Sequence, residues 1–273
     1  MTKTYETVLV TIENHIAQVK MNNPTKANAM TPAFWREFPQ AIDELDANPE
    51  VRVVIVSGEG KHFTAGLDLT MFAGIQQKMT GKGDQGRIRE EFRREILKMQ
   101  DTFSSLERCR KPVIAAIQGA CVGGGIDLIS ACDMRYCSED AYFCVKEIDI
   151  AIVADVGTLQ RLPKIIADGV ARELAYTARK MGGREAEQVH LVNKCYATYE
   201  EMMAEVMKIA HNIASKSPLA MRGTKEMLNY TRNHSIEDSL NYVATWNAAM
   251  LMSNDAVEAA MAGMQKREPK FEN

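Results

Sequence analysis

The sequence predicts an α/β fold with a helical C-terminal region, on three observations. Short apolar strand-like runs recur through residues 1–198, helical patterns stand between them, and after Tyr199 only helical stripes remain. In chain order, residues 8–12 and 16–21 are β-type runs separated by Glu13-Asn14-His15, which predicts an N-terminal hairpin. Pro32 opens a helix in which Phe34, Phe38, Ile42 and Leu45 recur at helical spacing, and residues 51–56 follow as an apolar strand. Residues 78–94 are polar and contain glycine, then turn amphipathic with Ile88, Phe92, Ile96 and Met99 on one side. A solvated loop and helix face is the plain reading; a lid is the other, because the segment follows a candidate site. Residues 113–117 form a strand leading into Gly119 and Gly123-Gly124-Gly125, with a short helix over 126–132. Residues 135–137 and 142–145 suggest two more strands. From Tyr199, Met202, Val206, Ile209 and Ile213 make a helical stripe, and further helical patterns run to about Gly263. The expected division is a core over 1–198 and a helical region over 199–273, whose Met-rich faces suit packing between subunits.

Composition narrows the function. A 273-residue chain that is 46% hydrophobic can bury one large core. Its net charge of −3 offers no general attraction for nucleic acid or anionic membrane. The N-terminal segment has neither an apolar signal core nor an Arg/Ser-rich transit pattern, so a cytoplasmic protein is expected. The six cysteines (109, 121, 132, 137, 144 and 195) include no C-x-x-C and no zinc spacing, and read as reduced, mostly buried thiols. No dinucleotide, P-loop, nucleophile-elbow or zincin motif is present.

Two glycine-containing segments and three acids stand out. Gly123-Gly124-Gly125, between a strand and a helix, suits close backbone approach to a ligand, although on this segment alone a plain tight turn is the favoured reading. Residues 62–69 (HFTAGLDL) also place small residues after a strand, and two such loops can present a pair of N–H donors, the geometry of an oxyanion hole. Asp127 falls in the first turn of the expected helix, where it also suits the helix dipole. Asp155 ends an apolar run and also suits a cap before Val156-Gly157-Thr158; Glu147 has the alternative of a surface pair with Lys146. Carboxylates held in an apolar pocket have raised pKa values and exchange protons with carbon near neutral pH.

Four runs, in order, carry a resemblance: residues 22–30 (NNPTKANAM), 61–69 (KHFTAGLDL), 114–128 (IAAIQGACVGGGIDL) and 154–163 (ADVGTLQRLP). They resemble the signature segments of the crotonase (enoyl-CoA hydratase/isomerase) superfamily, and the similarity extends from about residue 7 to the helical tail. The resemblance implies a crotonase-like spiral of ββα units closed by C-terminal helices, assembled as a homotrimer or a hexamer of two trimers. It implies an acyl-CoA thioester substrate, with coenzyme A as part of the substrate and no separate cofactor or metal. The backbone N–H groups of Leu67 and Gly124 would form the oxyanion hole. Lys26, Ala27, Ala65, Gly66, Asp68, Leu69 and Gly123 would border substrate and coenzyme A, and the Lys270-Phe271 tail would reach a neighbouring subunit's nucleotide pocket.

The acids set the branch. A typical hydratase has two glutamates, whereas Asp127, Glu147 and Asp155 together resemble the set of the Δ3,5-Δ2,4-dienoyl-CoA isomerases, as do residues 177–181 (TARKM) and 239–244 (SLNYVA). The implied reaction shifts 3,5-dienoyl-CoA to 2,4-dienoyl-CoA by carboxylate-mediated 1,5 proton transfer. The alternatives are a 2-enoyl-CoA hydratase and a non-catalytic acyl-CoA- or RNA-binding member. The chain departs from some relatives in lacking a presequence and in ending Phe271-Glu272-Asn273 rather than Ser-Lys-Leu.

Overall fold

The computed structural model describes residues 2–273, apart from the side chains of Phe72 and Gln76. A seven-stranded sheet organises it, built from β1 (Thr2–Thr4), β2 (Val8–Glu13), β3 (Ile16–Met21), β4 (Val53–Gly58) and β5 (Val113–Ile117). After β6 (Ala120–Val122), the sheet continues with β7 (Met134–Ser138); β8 (Tyr142–Cys144) and β9 (Met181–Gly182) join β6 in a three-stranded sheet, and β10 (Lys194–Tyr196) closes the first. The spatial order of the large sheet is β1-β2-β3-β4-β5-β7-β10, antiparallel over its first three strands and parallel thereafter.

The hairpin forms where the sequence predicts it. Asn14 and His15 both take positive φ (50° and 65°), the turn geometry whose twist matches that of paired strands. The parallel strands are apolar on both faces because both faces are covered. Val54, Val56, Ala115 and Ile117 meet Phe34, Phe38 and Ile42 on α1 (Pro32–Ala47) on one side. Val53, Ile55, Ile114 and Ala116 meet a different helical layer on the other.

The segment at residues 78–94 is more ordered than a solvated loop. Helix α2 (Leu69–Met79) and the start of α3 (Gln85–Arg108) take it up, and Ile88, Phe92 and Met99 face a largely apolar cavity of about 760 Å³ shared with Trp35 and Met71. The stripe the sequence shows therefore lines, at Ile88, Phe92 and Met99, a cavity between helices. Helix α4 (Gly124–Ser130) starts two residues earlier than the pattern suggests, and α5 (Thr158–Arg161) is a single turn behind it. Two helices, α6 (Asp168–Thr177) and α7 (Gly183–Gln188), lead back to β10.

Four helices complete the chain: α8 (Tyr199–Ala214), α9 (Pro218–Thr231), α10 (Ile236–Met250) and α11 (Asn254–Gln265). Met202, Val206 and Ala210 of α8 are the layer that covers the second face of the sheet. Beyond it, α10 has no buried residue, and Ile236, Leu240, Met252 and Met264 are exposed. The tail folds back on its own chain, where Arg52 donates to the Phe271 carbonyl and to Asn273 Oδ1, both at 2.8 Å, and Asn273 donates to Glu50. All six cysteines are buried free thiols, as the spacing predicts. Among the described residues no helix is long and apolar enough to cross a membrane, and no His/Cys/Asp/Glu group has the arrangement of a metal site.

Candidate active site

Three loops meet at the C-terminal ends of the parallel strands. Asn28, buried in the loop after β3, ties the first to the second: its amide donates to the Glu59 and His62 carbonyls at 2.9 and 2.8 Å, and its oxygen accepts from Asn23 N–H. Ala65 N–H donates to the Ala27 carbonyl, and Thr64 Oγ1 donates to the Asn28 carbonyl. Met30 then pairs in parallel with Leu67, its N–H bonding to Gly66 O (2.8 Å) and its carbonyl accepting from Asp68 N–H (3.2 Å). In such a pair, the residue between the two bonded neighbours turns its own N–H to the opposite side. Leu67 N–H thus faces away from Met30.

The third loop stands on that side. Thr64 pairs in parallel with Cys121 on β6, bringing the Gly66 backbone against the β6–α4 turn. A Cβ on Gly66, at φ +88°, would lie 2.7 Å from Val122 O and 3.5 Å from Gly124 N, so only glycine permits the approach. Gly124 is the first residue of α4, so its N–H has no partner within the helix. Neither Leu67 nor Gly124 N–H has an acceptor among the described residues. Two backbone donors converging from separate loops can hold one carbonyl oxygen and stabilise the charge it gains.

The acids surround this turn at different depths. Asp127 on α4 is fully buried; its Oδ1 accepts from Thr158 N–H at 2.5 Å, and its Oδ2 has no partner. Burial raises its pKa to about 6, with nearby Asp155 adding to the rise while the Thr158 bonds and Arg161 oppose it. Glu147 lies beside the glycine turn: a Cβ on Gly123 would meet its Oε1 at 3.3 Å. Its Oε2 is buried without a partner, and burial, reinforced by the charges of Asp127 and Asp155, lifts its pKa to about 7. Asp155 sits at the rim, exposed in the single chain, yet partial burial still raises its pKa. Its carbonyl is held by Gln100 Nε2 at 2.7 Å. The Thr158 hydroxyl is also buried without a partner.

Asp127 does fall in the first turn of α4, where it suits the helix dipole, but the alternative roles for Glu147 and Asp155 do not match these placements. Lys146 pairs with Asp149 at 2.5 Å, leaving Glu147 free of it. The cap position of α5 is Gly157, with no side-chain cap, so Asp155 is not capping; the first N–H of α5 is instead met by Asp127 across 31 residues. Asp68, in contrast, is engaged structurally. Its carboxylate accepts from Thr70 N–H and Oγ1 at 2.8 and 2.6 Å at the start of α2, which lowers its pKa, and Lys26 stands 3.9 Å away. Lys26, Ala65 and Leu69 are exposed around the loops, and Ala27 and Gly123 take positive φ (49° and 53°). Sequence reasoning gave no role to Thr158, Asn28, Met30 or Gln100. Nothing local in the sequence marks them; the structure distinguishes Asn28 as a buried Asn at φ 53°.

A spiral of strand and helix units that presents paired backbone donors beside buried carboxylates is an architecture for stabilising an enolate. The chain belongs to the enoyl-CoA hydratase/isomerase family, whose model matches residues 11–273. It is 50% identical to the peroxisomal Delta(3,5)-Delta(2,4)-dienoyl-CoA isomerase of Arabidopsis thaliana, over 98% of this chain and 97% of that one. It is 46% identical to the mitochondrial Delta(3,5)-Delta(2,4)-dienoyl-CoA isomerase of Homo sapiens, over 97% of this chain and 81% of that one. Among solved structures, the enoyl-CoA hydratase of Bacillus anthracis superposes with a TM-score of 0.87 at 29% identity, covering 98% of this chain and 99% of that one. These relatives overturn the expectation of a cytoplasmic protein, since the two isomerases are peroxisomal and mitochondrial. Compartment is addressed by receptor-read signals that the folded domain does not encode, so the N-terminal composition was no guide to it.

Proposed function

We propose that this chain isomerises 3,5-dienoyl-CoA to 2,4-dienoyl-CoA, with the acyl thioester oxygen held by Leu67 and Gly124 N–H. Glu147 takes the proton from C2, and the electron pair spreads through the two double bonds as a dienolate reaching C6. Asp155, in its protonated form, delivers a proton to C6, and solvent at the rim resets both acids. Asp127, anchored by Thr158 N–H, keeps Glu147 basic enough to act near neutral pH. Two carboxylates and two backbone donors suffice for this shift. Lys26, Ala27, Ala65, Gly66, Asp68, Leu69 and Gly123 border the coenzyme A moiety in this reading, Asp68 by shaping the loop that it caps.

The observation that carries the reading is the third acid. A water-adding enzyme needs only the inner pair, whereas Asp155 stands apart from Asp127 and Glu147 at the mouth, on a carbonyl pinned by Gln100. Identity supports it too, at 50% and 46% to isomerases against 29% to the hydratase. The test is ultraviolet absorbance of the conjugated product. Wild-type protein converts 3,5-dienoyl-CoA, and Asp155→Asn lowers kcat by about a hundredfold with KM nearly unchanged. Near-normal turnover by that variant, or faster hydration of crotonyl-CoA than isomerisation by the wild type, overturns the assignment. The assembly we propose is a trimer or a dimer of trimers, supported by the exposed Ile236, Leu240, Met252 and Met264. Light scattering gives a multiple of three times 30.5 kDa on this reading; a stable monomer contradicts it.

A further inference from the structure

Asp155 and the N–H that holds Asp127 are three residues apart, joined by Val156-Gly157, which belong to neither strand nor helix. Whatever fixes this short segment fixes the spacing between an outer and an inner carboxylate. Gln100 holds one end, through the Asp155 carbonyl. Arg161 holds the middle. Its guanidinium donates to Val156 O at 3.4 Å, to Ser104 Oγ at 3.1 Å and to Glu107 Oε2 at 2.7 Å, and its side chain is only 15% exposed. Gly157 lies directly beneath it: at φ +136° a Cβ there would fall 1.8 Å from Arg161 Nη1. The glycine is thus required by the backbone angle and by the guanidinium packed on it.

We propose that Arg161 is a positioning residue for the reaction, clamping the segment from Asp155 to Thr158 so that the outer and inner acids keep their separate stations. The inference rests on the isomerase reading above. Glu107 aims the clamp, since it also receives Arg232 at 2.9 Å and its carbonyl accepts from Asn229 on α9. The catalytic segment is therefore tied through α3 to the C-terminal helices. The charged groups that bear on the inner acid are Asp155 and Glu147, both negative, and the Arg161 guanidinium, which opposes their effect. Lys164, Arg232 and Glu107 line the same cavity of about 500 Å³ as Arg161 and Asp155, and the charge of Asp127 bears on the buried Cys121 thiol. An Arg in this place supplies a fork of donors and a fixed positive charge, and the two effects separate experimentally.

The experiment compares Arg161→Met, Arg161→Lys and Glu107→Gln with wild type in the 3,5-dienoyl-CoA assay, with folding checked by circular dichroism and gel filtration. Arg161→Met lowers kcat at least tenfold with KM within about twofold, and the acid limb of the rate profile moves to higher pH because the inner pair loses its neighbouring cation. Carbon-13 titration of the carboxyls reads the same upward movement without reference to turnover. Arg161→Lys restores the limb but only part of kcat, since an ammonium keeps the charge and loses the fork. Glu107→Gln leaves the cation in place and lowers kcat by a smaller factor. Should Arg161→Met fail to fold, the Lys and Gln variants decide. Unchanged kcat and an unchanged pH profile in folded variants overturn the inference, as does loss of rate with no movement of the limb or of the carbon-13 titration. Absence of isomerisation by the wild type would instead sink the functional reading on which it rests.

Discussion

Asp127 and Asp155 are the same residue type, 28 positions apart, and the fold treats them in opposite ways. Asp127 is fully enclosed, with one oxygen bonded to Thr158 N–H and the other unpartnered, and its pKa is driven up to about 6. Asp155 stands at the rim, an exposed residue whose carboxyl is only partly buried and whose carbonyl is held by Gln100. The inner acid can tune a neighbour but exchanges poorly with solvent; the outer one can be reset by water after each turnover. This difference in depth is what the proposed division of roles rests on, since composition alone leaves the two equal.

The largest effect that would sharpen this contrast is at Glu147, between the two. Glu147→Gln removes the proposed base at C2 and is expected to lower kcat by about a thousandfold, more than Asp155→Asn, because on this proposal a dienolate never forms. Equal or smaller loss at Glu147 would place the first proton transfer elsewhere. A smaller effect belongs to the backbone donors. An acyl-CoA ether analogue lacking the thioester carbonyl should bind about tenfold more weakly than the matching thioester, having lost two hydrogen bonds of about 1 kcal/mol each in part. Equal affinity would move the thioester oxygen away from Leu67 and Gly124.

The last effect is on stability rather than on rate or binding, and its sign follows from burial. Asp127 and Glu147 are both held above their ordinary values, to about 6 and about 7. Between about pH 4 and those values, the native protein keeps protons that the unfolded chain has released. Stability from this source is full below the unfolded pKa and is lost as pH rises through 6 and 7. Asp127→Asn keeps an acceptor for Thr158 N–H but cannot ionise. Relative to wild type it should gain about 1–3 kcal/mol of unfolding free energy between pH 4 and pH 8, measured by denaturant titration. A pH-independent difference would mean that Asp127 ionises as freely in the fold as in water.

Much of this was legible in the sequence, for reasons that are local. The hairpin at Asn14-His15, the strand at Val113–Ile117 and the helix opened by Pro32 follow from turn chemistry and periodicity within a few residues. The three acids were visible because charged residues interrupt apolar runs. What fixes them was not visible, because Asp127 to Thr158 spans 31 residues, Gln100 to Asp155 spans 55, and Arg161 to Glu107 spans 54. No local pattern marks such partners. Helix α2 was missed for a different reason: Leu69–Met79 carries glycine and few buried anchors, and it is ordered by packing on α3. The tail shows the same limit, since its docking on Arg52 joins positions more than 200 residues apart.

The central claim is that two different carboxylates handle the two ends of the shift, the outer one in contact with water. Isomerisation of 3,5-dienoyl-CoA in deuterium oxide, followed by nuclear magnetic resonance of the 2,4-dienoyl product, tests it most directly. If Glu147 removes the C2 hydrogen and a solvent-exchanged Asp155 supplies C6, a single turnover places deuterium at C6 in nearly every product molecule. Recovery of the original C2 hydrogen at C6 would mean that one carboxylate carries it the whole way, and would contradict the account.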